Sequence, residues 1–365
     1  MASEDTVTIP PDIITDILPL FPAKSVGRFR CVSKDWLSQL SSPQFIKTHQ
    51  NTINQNHIIF ISPDLSLNSL PLNHHQQQLL SASPTNLNLK SPHDLNLFTF
   101  HGSCNGLVLA SFNDLISDRT DHTLVVFNPT TKQLVTLPVS GFEMVDNLLE
   151  IDITYGFGYD SVNDDYKVVT VSYFHFNYLI PPDCMSVHVY SLKTNTWKPV
   201  TDSPYDHSYG KSVPGVLVNG FVHWFANKDD LQVIVAFNLA DDKFNEVALP
   251  DVSIGSRIGS KICCRLVDFG GKLGIFFEVG GMIWLMNEYG VKESWTKIIL
   301  HGFNDVNVVE SILYDNGKML LFTRDQMWMY DVEEGKSCRL VDTRDLKDFK
   351  VCGTYVESLV SPKFN

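Results

Sequence analysis

Long hydrophobic runs are missing from this chain. No stretch of 18 apolar residues occurs, and the amino terminus has no basic segment leading into an apolar one. Neither a membrane-spanning helix nor a secretory signal is therefore expected. Cysteine is sparse and unpatterned: Cys31, Cys104, Cys184, Cys263, Cys264, Cys338 and Cys352 form an odd, scattered set without a Cys-x-x-Cys pair. That fits a reducing compartment and buried thiols. The one Asn-x-Ser/Thr triplet starts at Asn128 and is blocked by Pro129. Together these absences point to intracellular residence, in cytoplasm or nucleus. Positive charge is also scarce, with 28 Lys and Arg against 41 Asp and Glu and a formal charge of -13. A general affinity for nucleic acid or anionic membrane needs a basic surface and is excluded on that ground.

Catalytic signatures are absent too. There is no G-x-S-x-G elbow, H-E-x-x-H pair or Walker loop. Asp268-Phe269-Gly270 mimics the magnesium-binding triplet of kinases, but no glycine-rich loop or H-R-D segment accompanies it, and it reads as a hairpin. Gly156 and Gly158 lack the third glycine and the following helix of a dinucleotide fingerprint. Asp164-Asp165 and Asp241-Asp242 are adjacent, so on a strand or turn their carboxylates point apart. His74 and His75 sit in a polar run without fixed geometry for a metal. No cofactor or metal ion is called for.

What is present begins with three short helical patterns. Ile13, Ile14, Ile17 and Leu18 recur at helical spacing after Pro10-Pro11; Pro22 opens a second helix carrying Val26 and Phe29; Ser33 caps a third, with Trp36, Leu37 and Leu40, stopped before Pro43. Ile9 to His49 carries five basic residues (Lys24, Arg28, Arg30, Lys34, Lys47) against three acidic ones (Asp12, Asp16, Asp35), a charge of +2 in an acidic chain. About 40 residues seldom bury enough apolar surface to fold alone. The expectation is that an acidic partner protein completes the core.

The pattern I-P-x-D-I-I-x-D-I-L, then P-A-K-S-V-x-R-F-R-C-V-S-K-x-W, then S-P-x-F, closely resembles the F-box in the form common in plants. That resemblance implies docking on the Skp-type adaptor of a cullin-RING ubiquitin ligase. By position the adaptor contacts would be Ile9, Pro10, Ile13, Ile14, Ile17, Leu18, Pro22, Val26, Val32 and Trp36. Gly27 stands where a large aliphatic is usual. It costs a helix about 1 kcal/mol relative to alanine and offers no side chain, so reduced adaptor affinity is expected.

From Gln50 to Leu97 the composition shifts to Asn, Gln, His, Ser and Leu, which reads as a polar linker holding one strand, His57 to Ile61. The expected divisions are a tail at 1–8, the helical segment at 9–49, the linker at 50–97 and an all-β domain at 98–365. Within the last, an apolar strand, a polar turn and a strand with Trp or Leu-Pro recur, as in "VVFNPTTKQLVTLP" and "VHVYSLKTNTWKPV". Phe127, Tyr190, Phe237, Met286 and Tyr330 anchor the repeats at intervals of 63, 47, 49 and 44 residues. Such a period predicts an irregular kelch-like β-propeller of about six blades. The sixth would join His57 and the Leu97 to Phe100 strand to the terminal "TYVESLV". A twisted β-sandwich is the alternative.

The motifs "GSCNGLVLAS", "VVFNPTTKQLVTLP", "YGFGYDSVNDDYKVV" and "WLMNEYGVKESWTKI" resemble the plant F-box-associated domain, type one. Members of that family are often named F-box/kelch-repeat, and within it the wording is nearest the constitutive-expresser-of-PR-genes and S-locus F-box groups. The likeness implies a non-catalytic receptor that recruits a protein substrate for ubiquitination and degradation, with cullin and RING subunits reached through the adaptor. A glycan- or small-ligand-binding propeller and an adaptor-bound scaffold are the alternatives. The run Tyr173 to Pro182 supplies candidate substrate contacts in Tyr173, Phe174, Phe176 and Tyr178, although its alternation also suits a half-buried strand.

Overall fold

The computed structural model describes residues 16–53, 55–62, 64–72, 84–87, 98–113, 122–139, 150–175, 185–207, 213–229, 231–251, 264–277, 280–303, 310–315, 317–322, 326–342 and 350–363. The amino-terminal part is helical. A 3-10 turn at Leu18–Leu20 leads to α1 (Ala23–Phe29), α2 (Lys34–Leu40) and α3 (Pro43–Thr52). Ser33 caps α2 as expected, its hydroxyl accepting the Trp36 N–H at 3.1 Å. Pro43, marked by the sequence pattern as a stop, instead opens α3: Ser42 accepts the Phe45 N–H at 3.2 Å, and proline fits the first turn, where no donor is needed. Most of the first predicted helix lies outside the described residues.

The remainder is six four-stranded antiparallel sheets. One contains β4 (Phe98–Cys104), β5 (Leu107–Asn113), β6 (His122–Asn128) and β7 (Gln133–Thr136); the next β8 (Glu150–Asp160), β9 (Asp165–His175), β10 (Met185–Ser191) and β11 (Thr196–Pro199). The third holds β12 (Val216–Val218), β13 (Phe221–Lys228), β14 (Leu231–Asn238) and β15 (Lys243–Val247), and the fourth β16 (Cys264–Asp268), β17 (Leu273–Phe277), β18 (Met282–Met286) and β19 (Trp295–Ile299). The fifth has β20 (Glu310–Asp315), β21 (Lys318–Phe322), β22 (Gln326–Asp331) and β23 (Lys336–Asp342). The last runs β24 (Lys350–Val356), β1 (Asn56–Ile61), β2 (Leu67–Pro71) and β3 (Thr85–Asn86). First strands neighbour one another in the order β4, β8, β12, β16, β20, β24 and back to β4, so the sheets close a ring. This is a six-bladed propeller, not a sandwich.

Closure corrects part of the sequence reading. The residues 50–97 supply three strands rather than one, and β1 pairs with β24 through Asn56–Val356, His57–Tyr355 and Ile58–Thr354. Phe98 to Phe100 belongs instead to the first blade, in β4. The five repeat anchors all lie on third strands and are buried, with Tyr190 paired to Trp197, Phe237 to Phe244 and Met286 to Trp295. Trp197 Nε1 donates to Pro138 O at 2.7 Å and Trp295 Nε1 to Ala248 O at 2.8 Å, so the second and fourth blades each clasp the chain leaving their predecessor.

Local chemistry explains the turns. Asn105-Gly106 and Asn219-Gly220 each have both φ values between 52° and 81°, as a two-residue hairpin requires. Gly156 and Gly158 serve close packing: a Cβ at Gly156 would lie 2.5 Å from Val222 Cγ1, and one at Gly158 2.5 Å from Leu217 Cδ1. Asp268-Phe269-Gly270 is a turn, with Asp268 Oδ1 accepting the Gly271 N–H at 2.7 Å. The acidic doublets are structural. Asp165 is buried and accepts from Ser191 Oγ at 2.5 Å, and Asp242 meets Lys198 at 2.5 Å. The five described cysteines form no disulfide, and Cys31 and Cys338 are exposed, against the expectation of burial. Among the described residues no helix is long and apolar enough to cross a membrane.

Candidate functional site

The helical unit does not rely on a partner for its core. Leu18, Ala23, Val26, Leu40 and Phe45 pack around Leu359, which arrives from the tail following β24. The tail is fastened at several points. Asn128 Nδ2 donates to Ser358 O at 3.0 Å and Val360 O at 2.7 Å, and the Glu357 N–H reaches Gln55 O at 2.8 Å. Glu357 accepts the Lys24 N–H at 3.4 Å at the start of α1, where burial pushes its carboxyl above the usual range. His49 is fully buried and donates Nε2–H to Phe21 O at 2.9 Å; burial holds its pKa below the ordinary histidine value. Arg30 Nη2 donates to Leu40 O at 2.7 Å, tying α1 to the end of α2.

This arrangement divides the sequence-predicted contacts. Leu18 and Val26 are interior, so neither faces a partner; their place is against Leu359. Ile17, Pro22 and Val32 are exposed, Val32 to 66%, and Trp36 is half-buried. Ile9, Pro10, Ile13 and Ile14 lie outside the described residues. Leu20, Phe21 and Leu37 are exposed as well and were not among the predicted contacts. Phe21 meets Phe29 edge-on at 5.6 Å, and Phe29 meets Trp36 at 6.0 Å, so an aromatic ridge crosses the unit with Leu20 and Leu37 beside its ends in sequence. The signal for Leu37 was an apolar stripe on α2 wider than Leu40 alone could bury. Large exposed apolar side chains concentrated this way mark an interaction surface.

On the propeller, Tyr173 is not a binding anchor. It is fully buried among Val187, Trp224 and their neighbours, where the next blade covers β9. The Phe174 side chain, Phe176 and Tyr178 lie outside the described residues. The helices and tail sit at the end of the blades where β4 turns into β5 and β6 into β7. There the linking segments are short: Cys104 to Leu107, Asp160 to Asp165, Val218 to Phe221 and Asn128 to Gln133. The exceptions join Pro71 to Thr85 and Met286 to Trp295. The opposite end takes the long crossings, from Asn113 to His122, His175 to Met185, Pro199 to Val216 and Val247 to Cys264.

Comparison with known proteins agrees with this division. The family profile described as "F-box associated beta propeller domain" matches residues 56–346, and that described as "F-box domain" matches residues 8–48. The propeller profile is designated FBA_3, so membership rests on that group rather than on the type-one wording of the motifs. "F-box protein CPR1" of Arabidopsis thaliana is 30% identical over 361 residues, covering 91% of this chain and 84% of its own. "F-box/kelch-repeat protein At3g23880" of the same plant is 26% identical, covering 97% and 96%. The solved structure of uncharacterized protein lmo1340 from Listeria monocytogenes EGD-e aligns with 79% of this chain and 82% of its own at TM-score 0.38 and 11% identity. That likeness is too slight to bear on the fold.

Proposed function

This chain belongs to the F-box proteins that carry an F-box associated beta propeller domain, and we propose that it is the substrate-receiving subunit of a Skp-cullin-F-box ubiquitin ligase. The helical unit seats a Skp-type adaptor, and the propeller holds a target protein for ubiquitination and degradation. The observation that carries this reading is the exposed apolar ridge on a helical unit that is clamped to the propeller. A unit whose core is already filled by Leu359 still leaves Ile17, Leu20, Phe21, Val32 and Leu37 uncovered. Covering them with a partner removes apolar surface from water, at about 25 cal/mol per Å².

In this reading the chain performs no chemistry. It raises the effective concentration of target beside the ubiquitin-charged machinery, and a rigid link between the two surfaces keeps that geometry fixed. The target meets the end of the propeller remote from the helices, where the long crossings emerge, because the helices and tail cover the near end at the first blade.

Affinity capture from plant cells tests the proposal, comparing the full chain with a Val32→Glu/Leu37→Glu variant. Both side chains are exposed, so the fold stands. Adaptor and cullin are lost from the variant while targets accumulate on it; adaptor and cullin retained at wild-type levels would contradict the reading.

A further inference from the structure

A groove of about 400 Å³ runs between α1 and the turn joining β6 to β7. Lys24, Gly27, Arg28, Arg30 and Cys31 form its helical wall, and Thr130, Thr131 and Gln133 form its propeller wall. Three cations and no carboxylate line it, in a chain of charge -13. Arg28 makes no ion pair among the described residues, and Arg30 spends its hydrogen bonds on the Leu40 carbonyl at 2.7 and 3.2 Å, which leaves its charge unneutralised. The Thr130 and Thr131 amides are taken by Asn128 Oδ1 at 2.8 and 3.1 Å, so that wall is held in shape.

Gly27 is what keeps the groove open. A Cβ there would find nothing within 4 Å, so any larger side chain would project into the empty space. Cys31 lines the groove, and the next residue in the chain, Val32, is the most exposed apolar side chain among the described helical residues.

We propose that this groove receives an acidic segment of the Skp-type adaptor, which makes the first propeller blade part of the docking surface. The inference rests on the adaptor reading above and adds to it a second, electrostatic contact shared by both domains. It also reverses the expectation for Gly27, whose missing side chain becomes room for the partner instead of a lost contact.

The test measures binding of the purified full chain to a Skp-type adaptor at low salt and at about 300 mM salt, where charge contacts are screened. Gln133 is exposed on the propeller wall, so Gln133→Glu and Gln133→Lys change charge at nearly constant shape without touching the helices. Gln133→Glu weakens low-salt binding about fivefold and Gln133→Lys strengthens it by a similar factor, both effects shrinking with salt. Gly27→Leu, which favours the helix, weakens binding by filling the groove. All three variants within twofold of wild type, or tighter binding by Gly27→Leu, would overturn the proposal. So would unchanged adaptor affinity with altered target capture, which would give the groove to the target. If the wild-type chain binds no adaptor at either salt, the functional reading itself fails along with the groove.

Discussion

Asn128 grips the tail at Val360: its Nδ2 donates to Val360 O at 2.7 Å and also to Ser358 O at 3.0 Å, bracketing Leu359. The same side chain accepts the Thr130 and Thr131 amides through Oδ1, so one residue shapes the turn and fixes the tail. Asn128→Ala strands buried backbone groups and costs about 1–3 kcal/mol, read by chemical denaturation. Asn128→Asp keeps the acceptor for the turn and sets a carboxylate against two carbonyls. It lowers protection of tail and helix amides in hydrogen exchange while the first-blade amides stay protected.

Leu359 is the propeller's contribution to the helical core. Leu359→Ala removes about 2–5 kcal/mol of packing. The helical unit loses protection from exchange first, because the six sheets do not depend on that side chain. Equal loss across helices and blades would contradict this division.

Three histidines shielded from water set a pH limit, and burial holds the first, His57, at about 4. Burial holds His207 at about 4, with Asp206 opposing the shift, and holds His223 at about 4 against the pull of the Val216 carbonyl. His223 Nδ1–H donates to Val216 O at 3.0 Å, so its Nε2 accepts from the Tyr289 hydroxyl at 2.7 Å in the neutral ring. Unfolded histidines bind protons near 6.5, so the unfolded chain carries more protons between 6.5 and 4. Stability is fully present above 6.5 and falls as pH drops toward 4, by on the order of 3 kcal/mol for each ring. Urea midpoints across that range check it, and His223→Gln flattens the slope.

Lys167 joins the second and third blades. It meets Asp160 Oδ2 at 2.9 Å and Asp242 Oδ1 at 3.4 Å and donates to Leu239 O. Burial works against its charge, and the two carboxylates outweigh that, so its pKa stays above the ordinary lysine value. Lys167→Met leaves the buried Asp160 unpaired at a cost of about 3–5 kcal/mol. Thermal unfolding of the single variant measures it, and adding Asp160→Asn recovers part of the loss.

The propeller was legible where local pattern and global packing ask for the same residue. Phe127, Tyr190 and Phe237 recur because each third strand needs a large side chain between neighbouring sheets, and the Asn-Gly pairs recur because the turns need positive φ. Legibility stopped where distant segments decide. Leu18 and Val26 look like contact residues until Leu359, from the far end of the chain, covers them. Tyr173 opens an aromatic run that suits a binding rim or a half-buried strand equally, and the next blade, distant in sequence, buries it. Ser42-Pro43 serves equally as a stop and a start, because proline ends one helix and suits the first turn of another.

The most direct test is the equilibrium affinity of the purified full chain for a Skp-type adaptor, measured beside Val32→Glu/Leu37→Glu. Wild type binds, and the variant, unfolding at the same temperature, loses at least about a hundredfold in affinity. A variant that binds as tightly as wild type, or a wild-type chain that does not bind, would contradict the account.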